Sequence, residues 1–191
     1  MAAALVSRRA LALGLAALPT GFAAAALAAE PSGSLENSKP DAADGLTRTA
    51  EAIHQEISIK AERSAVYKAL TDSKQFDAIT RLSDAISLVT APDAKPTSIG
   101  RAAGEAFTLF GGHITGWNLE LVQDERLVQA WRVGNWKAGD YSIARFVLLA
   151  DGAQTRLVFD HRGFPDGAGG HLASGWHTHY WDPLVKFLAA G

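Results

Sequence analysis

The chain has 191 residues, with 18 basic and 20 acidic side chains and no cysteine. The lack of cysteine excludes disulfides, thiolate catalysis, lipid attachment through an N-terminal cysteine and Cys-based metal sites. The nearly balanced, slightly acidic charge disfavours nucleic acid and anionic membrane surfaces as partners.

Residues 1–28 predict an export signal peptide. Arg8 and Arg9 precede an apolar stretch over residues 10–27, and Ala26-Leu27-Ala28 offers small residues where a signal peptidase cleaves. The arginine pair resembles a twin-arginine signal, with an ordinary secretory signal and an uncleaved membrane anchor as the alternatives. We therefore expect a periplasmic or secreted protein with no stable membrane insertion after the signal is removed.

Residues 29–51 predict a flexible linker, because Pro, Ser, Gly, Asn and Asp dominate the segment and few of its side chains are apolar. The rest of the chain, residues 52–190, has a length that suits one domain with one hydrophobic core. We therefore look for the fold and the site within that domain.

Hydrophobic periodicity in the domain predicts strands with a pair of short helices near its start. Residues 53–59 alternate as a first strand, followed by one helix beginning at Glu62 or Ser64 and another at Asp72 or Ser73. Six further strands are predicted, over residues 85–91, 105–110, 113–123, 126–133, 141–150 and 154–162. Tight turns between the later strands favour antiparallel pairing of sequence neighbours.

Residues 175–191 predict an aromatic-rich C-terminal helix. Five side chains recur on one face at spacings of three and four: Trp176, Tyr180, Leu184, Phe187 and Leu188. Such a helix needs a concave partner, which a curved antiparallel sheet would supply, and a small apolar ligand would fit between the two. We expect the loop over residues 134–140 to place Trp136 at the cavity rim, and the glycine-rich residues 163–170 to form a mobile loop over the mouth.

Several short segments carry a family resemblance through their order and spacing. They are residues 57–61 leading into 66–72, Gly100 with Phe107, residues 112–116, 126–131 and 155–157 with His161, and Gly175-Trp176 with Tyr180, Leu184 and Leu188. Residues 53–188 resemble a START-like helix-grip domain of the SRPBCC superfamily, in the bacterial branch related to the activator homologue of heat-shock protein 90 ATPase. One departure is that the family often places a tryptophan within the segment that is residues 76–79 here.

The resemblance implies an α+β helix-grip fold, with a curved antiparallel sheet of about seven strands wrapped around a long C-terminal helix and two short helices after the first strand. Superfamily members include lipid carriers, plant hormone and allergen binders, polyketide aromatases and cyclases, and co-chaperones, so the fold implies a cavity without defining its contents. A chaperone partner is not expected outside the cytoplasm, because a periplasm has neither the cytosolic chaperone nor ATP.

Eight residues are candidates for contact with a ligand in the cavity: Phe107, Trp117, Trp131, Phe146, Leu157, His161, Trp176 and Tyr180. The alternative is that these residues are ordinary members of the core. His161 is either bonded to a backbone carbonyl at the cavity wall or acts as a ligand anchor or general acid or base. In a catalytic role it would act with a hydroxyl such as that of Tyr180 or Thr155.

Imidazole is also the commonest metal ligand, and five histidines lie in the second half of the chain: His113, His161, His171, His177 and His179. On a helix, His177 and His179 point about 200° apart and cannot bind one ion together, and no acidic residue joins them at the spacing of a known metal motif. We therefore expect neither a metal nor a cofactor, and the sequence has no recognisable nucleophile motif.

These features together predict an exported binding protein that holds a small hydrophobic or amphipathic ligand between the sheet and the C-terminal helix. One alternative is a cyclase-like or hydrolase-like enzyme acting on an aromatic or polyketide-like substrate. The other is a protein-interaction module of the cell envelope, which would use the curved sheet or the Trp136 loop.

Overall fold

The computed structural model describes residues 51–190, so the predicted signal peptide and all but the last residue of the predicted linker lie outside the described residues. Within them, seven strands form one antiparallel sheet: β1 (Ala52–Ile59), β2 (Ser98–Ile99), β3 (Ala106–Leu109), β4 (Ile114–Val122), β5 (Arg126–Val133), β6 (Ser142–Asp151) and β7 (Gln154–Arg162). Their order across the sheet is β1-β7-β6-β5-β4-β3-β2. Sequence neighbours from β2 to β7 therefore pair through turns, whereas β1 pairs with β7.

Two short helices follow β1 as predicted, α1 (Arg63–Thr71) and α2 (Ser73–Thr80). Asp72 separates them, and its carboxylate accepts hydrogen bonds from the backbone N–H groups of Lys74 and Gln75 at 3.0 Å each. This side-chain cap satisfies two N–H groups at the start of α2 that have no partner within the helix. Both helices bury their apolar faces, α1 against β6 and β7 and both against the C-terminal helix.

Residues 85–91 do not form the predicted strand. Residues Ile86–Thr90 form a short helix, α3, and the strand that pairs with β3 is the two-residue β2 instead. Apolar periodicity cannot separate a helix this short from a strand. The Ser83 hydroxyl donates to the Thr80 carbonyl at 2.7 Å and accepts the Ala85 N–H at 3.1 Å, which keeps the chain turning after α2.

The C-terminal helix begins at Gly169, earlier than the predicted residue 175. It consists of α4 (Gly169–Trp176), a π turn (His177–Trp181) and α5 (Asp182–Ala189). Gly169 and Gly170 therefore belong to the helix, so the loop predicted over residues 163–170 ends at residue 168. The Glu51 carboxylate accepts the Gly169 N–H at 2.8 Å and so caps α4. No helix within the described residues is long and apolar enough to cross a bilayer.

The π turn has a cause in the sequence. The Asp182 N–H donates to the carbonyl of His177, five residues earlier, instead of four as in an α-helix. Pro183 follows at once; it cannot donate to the carbonyl of His179, and its ring would clash with that carbonyl in a regular helix. One wider turn directly before Pro183 relieves this conflict and lets α4 continue into α5.

The inner face of β7 is the one predicted: Thr155, Leu157, Phe159 and His161 are all buried there. On β4, Trp117 does not face the cavity as expected of a ligand candidate. Trp117 and Leu119 are 42% and 47% exposed on the outer face, and the Trp117 ring packs against Tyr141 at 4.9 Å. Trp117 therefore does not face the cavity, which corrects its place among the ligand candidates.

The inner positions of β4 explain this placement of Trp117. Gly116 lies on the inner face, where any side chain would collide with the ring of Phe107. Asn118 is fully buried, and its side chain donates to the Gly100 carbonyl at 2.7 Å and accepts from Gln129 at 3.1 Å. A glycine and a hydrogen-bonded amide thus occupy these buried positions, and a bulge after Asn118 shifts the register with β5.

Candidate functional site

A pocket of about 430 Å³ opens between the C-terminal helix and one end of the sheet. Elements from across the chain form its wall: α3, the ends of β4 and β5, the loop after β5, α4 and the π turn. Six apolar or aromatic residues provide much of the lining: Phe110, Trp131, Val133, Trp136, Trp176 and Tyr180. Both the volume and the mainly apolar lining are typical of small-molecule sites.

Aromatic rings support one another along this wall. The centroid of Trp131 lies 5.4 Å from that of Trp176, and the Tyr180 ring lies 4.1 Å from Trp176 and 5.1 Å from Phe110. Phe76, in the segment where the family often has a tryptophan, packs edge-on against both Phe110 and Tyr180 at 5.7 Å. Tilted and edge-on contacts at these distances are favourable, so the wall is preformed.

Trp136 lies at the pocket rim, where the sequence predicted it. Its carbonyl accepts a hydrogen bond from the Arg132 guanidinium at 2.7 Å, and the carbonyl of Lys137 accepts a second at 3.2 Å. The guanidinium also stacks over the Tyr141 ring at 5.5 Å. Arg132 therefore fastens the loop that carries the Trp136 ring, which packs edge-on against Trp131 at 5.6 Å.

Trp181 is a buried aromatic residue that sequence reasoning missed. Its ring stacks on Trp176 at 5.5 Å with an interplanar angle of 18°. Residues five apart diverge by about 140° on an α-helix, but the π turn brings them onto one face. The Trp181 indole N–H donates to the Gln55 side chain at 2.6 Å, which ties the helix to β1. Pro183 was the available signal for this change of period.

His161 is fully buried behind the wall, and both of its ring nitrogens are bonded. The Trp176 indole N–H donates to Nδ1 at 3.0 Å, and because an indole can only donate, Nδ1 carries no proton. The neutral ring therefore has its proton on Nε2 and donates it to the Ser142 hydroxyl at 2.7 Å. That hydroxyl donates in turn to the Trp131 carbonyl at 2.9 Å. Burial lowers the pKa of His161 to about 4, which keeps the ring neutral.

Tyr180 provides a polar atom within the apolar wall. Its hydroxyl oxygen accepts the Trp131 indole N–H at 3.3 Å, and no described residue accepts its own proton. Burial raises the pKa of the Tyr180 hydroxyl, and the bond from Trp131 offsets this only in part. The hydroxyl therefore remains protonated at neutral pH and can donate a hydrogen bond into the pocket.

Three histidines from separate elements also line the pocket: His113 directly before β4, His171 in the first turn of α4, and His179 in the π turn. Burial, and to a smaller extent the nearby His179 and His171, lowers the pKa of His113. Nδ1 of His179 is buried and makes no hydrogen bond to any described residue. Among residues 51–190, no three His, Asp or Glu side chains are arranged to hold a metal ion.

The predicted candidates thus separate into three groups. Trp131, Trp176 and Tyr180 line the pocket. Phe107, Phe146, Leu157 and His161 are buried in the core outside the lining, and the rings of Phe146 and His161 pack against Trp176. Trp117 lies on the opposite face of the sheet. Sequence reasoning considered His113, His171 and His179 only as metal ligands and did not place them together at the pocket.

The family model described as Activator of Hsp90 ATPase homolog 1-like protein matches residues 60–189. The chain belongs to this family. Among curated members, Activator of 90 kDa heat shock protein ATPase homolog 1 from Homo sapiens is 23% identical over 104 residues, covering 54% of this chain and 31% of the human protein. The homologue from Dictyostelium discoideum is 30% identical over 82 residues, covering 42% of this chain and 21% of its own length. The chain therefore spans under a third of these two relatives.

Solved structures agree with the family assignment at the level of fold. The crystal structure of an HSP90 activator from Plasmodium falciparum has a TM-score of 0.62 at 19% identity, covering 72% of this chain and 96% of that one. CalU16 from Micromonospora echinospora has a TM-score of 0.55 at 20% identity, covering 73% of this chain and 77% of that one. The helix-grip fold and the SRPBCC resemblance predicted from the sequence are confirmed.

Proposed function

We propose that this protein binds a small hydrophobic or amphipathic molecule in the pocket between the sheet and the C-terminal helix. The observation that carries the proposal is the preformed aromatic wall around a space of about 430 Å³. Burying about 200 Å² of apolar ligand surface against such a wall would contribute about 5 kcal/mol before the costs of association. The SRPBCC fold, shared with binding proteins and cyclase-like proteins, is compatible with this role.

Binding has more support than catalysis by His161. A general base needs a free nitrogen within reach of the substrate, but Trp176 and Ser142 engage both ring nitrogens, and His161 does not line the pocket. Its pKa of about 4 also makes it a weak base at neutral pH. Tyr180 does reach the pocket, but its raised pKa suits a hydrogen-bond donor better than a proton acceptor.

A matched pair of tryptophan variants tests ligand binding. Trp136→Ala removes a ring from the pocket rim, whereas Trp117→Ala removes an exposed ring from the opposite face. We expect Trp136→Ala to weaken binding of the apolar probe N-phenylnaphthylamine by about tenfold, since a lost aromatic contact is worth about 1.5 kcal/mol. Fluorescence titration measures the affinity, and Trp117→Ala should match the wild type. Probe affinity that is equal in all three proteins would contradict the proposal.

We also propose that the protein is exported and that the mature chain begins near Ala29. The support is the arginine pair, the apolar stretch and the small residues at 26 and 28. N-terminal sequencing of protein recovered from the periplasm or medium should give a start close to residue 29. Recovered protein that still begins at Met1, or protein found only in the cytoplasm, would refute export.

A protein-interaction role is the second candidate. For a chain that stays in the cytoplasm, the relatives named as activators of the 90-kDa heat-shock protein ATPase favour it. On the outer face of the sheet, Trp117, Ala130 and Ile143 form one row across β4, β5 and β6, with both large side chains exposed. Adding the protein to a purified 90-kDa heat-shock protein and measuring ATP hydrolysis tests this role. Stimulation that Trp117→Ala abolishes would favour it over ligand carriage.

A further inference from the structure

We infer that the molecule bound in the pocket carries a carboxylate, held at the mouth by the Tyr180 hydroxyl and by the imidazoles of His113, His171 and His179. The inference rests on the proposed binding function and specifies the chemistry of the ligand. An apolar body would lie against the tryptophan rings, and the anionic end would face the histidines.

Hydrogen-bonding atoms without partners mark the place for this group. Nδ1 of His179 is buried and unbonded among the described residues, and the Tyr180 proton has no acceptor there. A buried polar group left unpaired is costly, so each of these pocket-lining residues would gain if ligand binding turned its side chain towards a ligand oxygen. A carboxylate has two oxygens that can accept from several donors at once, which suits a hydroxyl and an imidazole side by side.

The charges around the pocket favour an anion. Its ionisable lining residues are the three histidines and Tyr180, and no Asp, Glu, Lys or Arg of the described chain lines it. Charged groups on the surrounding elements have other contacts: Arg132 bonds the Trp136 carbonyl, Glu51 caps Gly169, and Lys95 packs over Gly112. An anion at the mouth would therefore meet side chains that can become cations and no carboxylate in the lining.

His113 makes the binding dependent on pH. Burial and the neighbouring imidazoles disfavour a proton on His113 in the empty pocket. A bound carboxylate would favour the protonated form of His113. Ligand binding near neutral pH should therefore be accompanied by proton uptake. Affinity should rise as the pH falls from 8 to 6, because His113 then takes up its proton more readily beside the bound carboxylate, which itself stays ionised down to about pH 5.

Aromatic rings can also enclose a quaternary ammonium group, so a cationic ligand is the main competing outcome. Three probes with the same ten-carbon chain separate the cases: decanoate, decanol and decyltrimethylammonium. Isothermal titration of the purified protein at pH 6 and pH 8, in two buffers of different ionisation enthalpy, gives both affinity and proton uptake. At pH 6 we expect decanoate to bind about tenfold tighter than decanol, with net proton uptake and a weaker preference at pH 8.

Conservative substitutions at the mouth provide the second measurement. Tyr180→Phe and His179→Gln should each weaken decanoate binding about fivefold more than they weaken decanol binding. His177→Gln is the matched control, because His177 is exposed two residues away and does not line the pocket. Thermal melting of each variant checks that the fold is intact.

The outcomes separate the inference from the function on which it rests. Decanoate and decanol that bind equally at both pH values would overturn the carboxylate inference and leave ligand binding standing. Tighter binding of decyltrimethylammonium would also overturn it. Failure of every probe to bind would overturn the inference and contradict the proposed function as well.

Discussion

Polar side chains inside the aromatic core fix the orientation of its tryptophans. Each of three buried indoles donates to a different partner: Trp131 to Tyr180, Trp176 to His161, and Trp181 to Gln55. Gln55 also donates to the Ala173 carbonyl at 2.9 Å, which joins β1 to α4. Because a buried N–H without a partner is destabilising, these acceptors select one arrangement of the rings and so define the pocket wall.

His161 should make stability depend on pH. Its folded pKa of about 4 lies below the ordinary value of 6.5, so the unfolded chain binds the proton more readily. The stabilisation is therefore complete above about pH 6.5 and is lost as the pH falls towards 4, by about 3 kcal/mol over that range. Urea denaturation of wild type and His161→Gln at pH 7 and pH 4 measures this change.

The His161→Gln comparison isolates a single group. Carboxylates with lowered pKa, such as those of Asp72 and Glu120, also titrate in acid, but they are the same in both proteins. We expect His161→Gln to be less stable at pH 7 by about 1 to 3 kcal/mol and to lose less stability on acidification. Parallel pH profiles for the two proteins would show that His161 does not carry a buried neutral imidazole.

Among the secondary-structure elements, the C-terminal helix includes both features that the sequence predicted and features that it did not. The spacing of Trp176, Tyr180 and Leu184 predicted their common face, and all three are buried. Trp181 was missed because a period of 3.6 residues was assumed throughout, whereas one π turn changes the angle between residues five apart. The first turn of α4 was also missed, because its glycines are typical of loops and its cap comes from Glu51, distant in sequence.

The strands also differ in how well their sequence pattern indicates the buried face. Alternation on β7 indicated its buried face, since Leu157 and Phe159 lie on one side and Arg156 and Asp160 on the other. On β4 the larger apolar residues face outwards, because Gly116 and Asn118 fill the inner positions through contacts with Phe107 and Gly100. Such pairings depend on neighbouring strands, so the pattern within one strand cannot reveal them.

The π turn makes a quantitative prediction about the helix. Trp176 and Trp181 are both buried and stacked, so Trp176→Ala and Trp181→Ala should each destabilise the fold by about 3 to 5 kcal/mol. Val185→Ala on the same helix should cost far less, since Val185 is 37% exposed. Chemical denaturation compares the three variants. A Trp181→Ala protein as stable as wild type would show that this ring faces solvent, as an unbroken α-helix would place it.

At the scale of the whole molecule, the sequence predicted that a pocket exists but not which polar side chains line it. The order of strands and the final helix indicated a cavity between them, and Trp131, Trp176 and Tyr180 do line it. His113, His171 and His179 meet there only because a β-strand, α4 and the π turn converge at one end of the sheet. His171 and His179 have helical spacing, but the predicted helix began at residue 175 and left His171 in a loop, and His113 lies far away in sequence, so no local pattern brought the three together.

The domain should fold without its first 50 residues. Removing residues 1–50 leaves β1 and the Glu51 cap intact, so we expect a cooperative thermal transition close to that of the full chain. Removing residues 1–59 is the control, because it also deletes β1 and exposes the whole edge of β7. Loss of the transition in the shorter deletion would show that the segment before Glu51 belongs to the folded domain.

The pairing of β1 with β7 also determines when the protein can finish folding. Ala52 meets Arg162, whereas β2 to β7 can assemble through successive hairpins as they leave the ribosome. At about 5 to 20 residues per second, β1 therefore waits roughly 5 to 20 seconds for its partner strand to be synthesised. A secretion machine that threads unfolded chains would have to capture the leader within this interval, whereas a twin-arginine machine would act after β1 and β7 had paired.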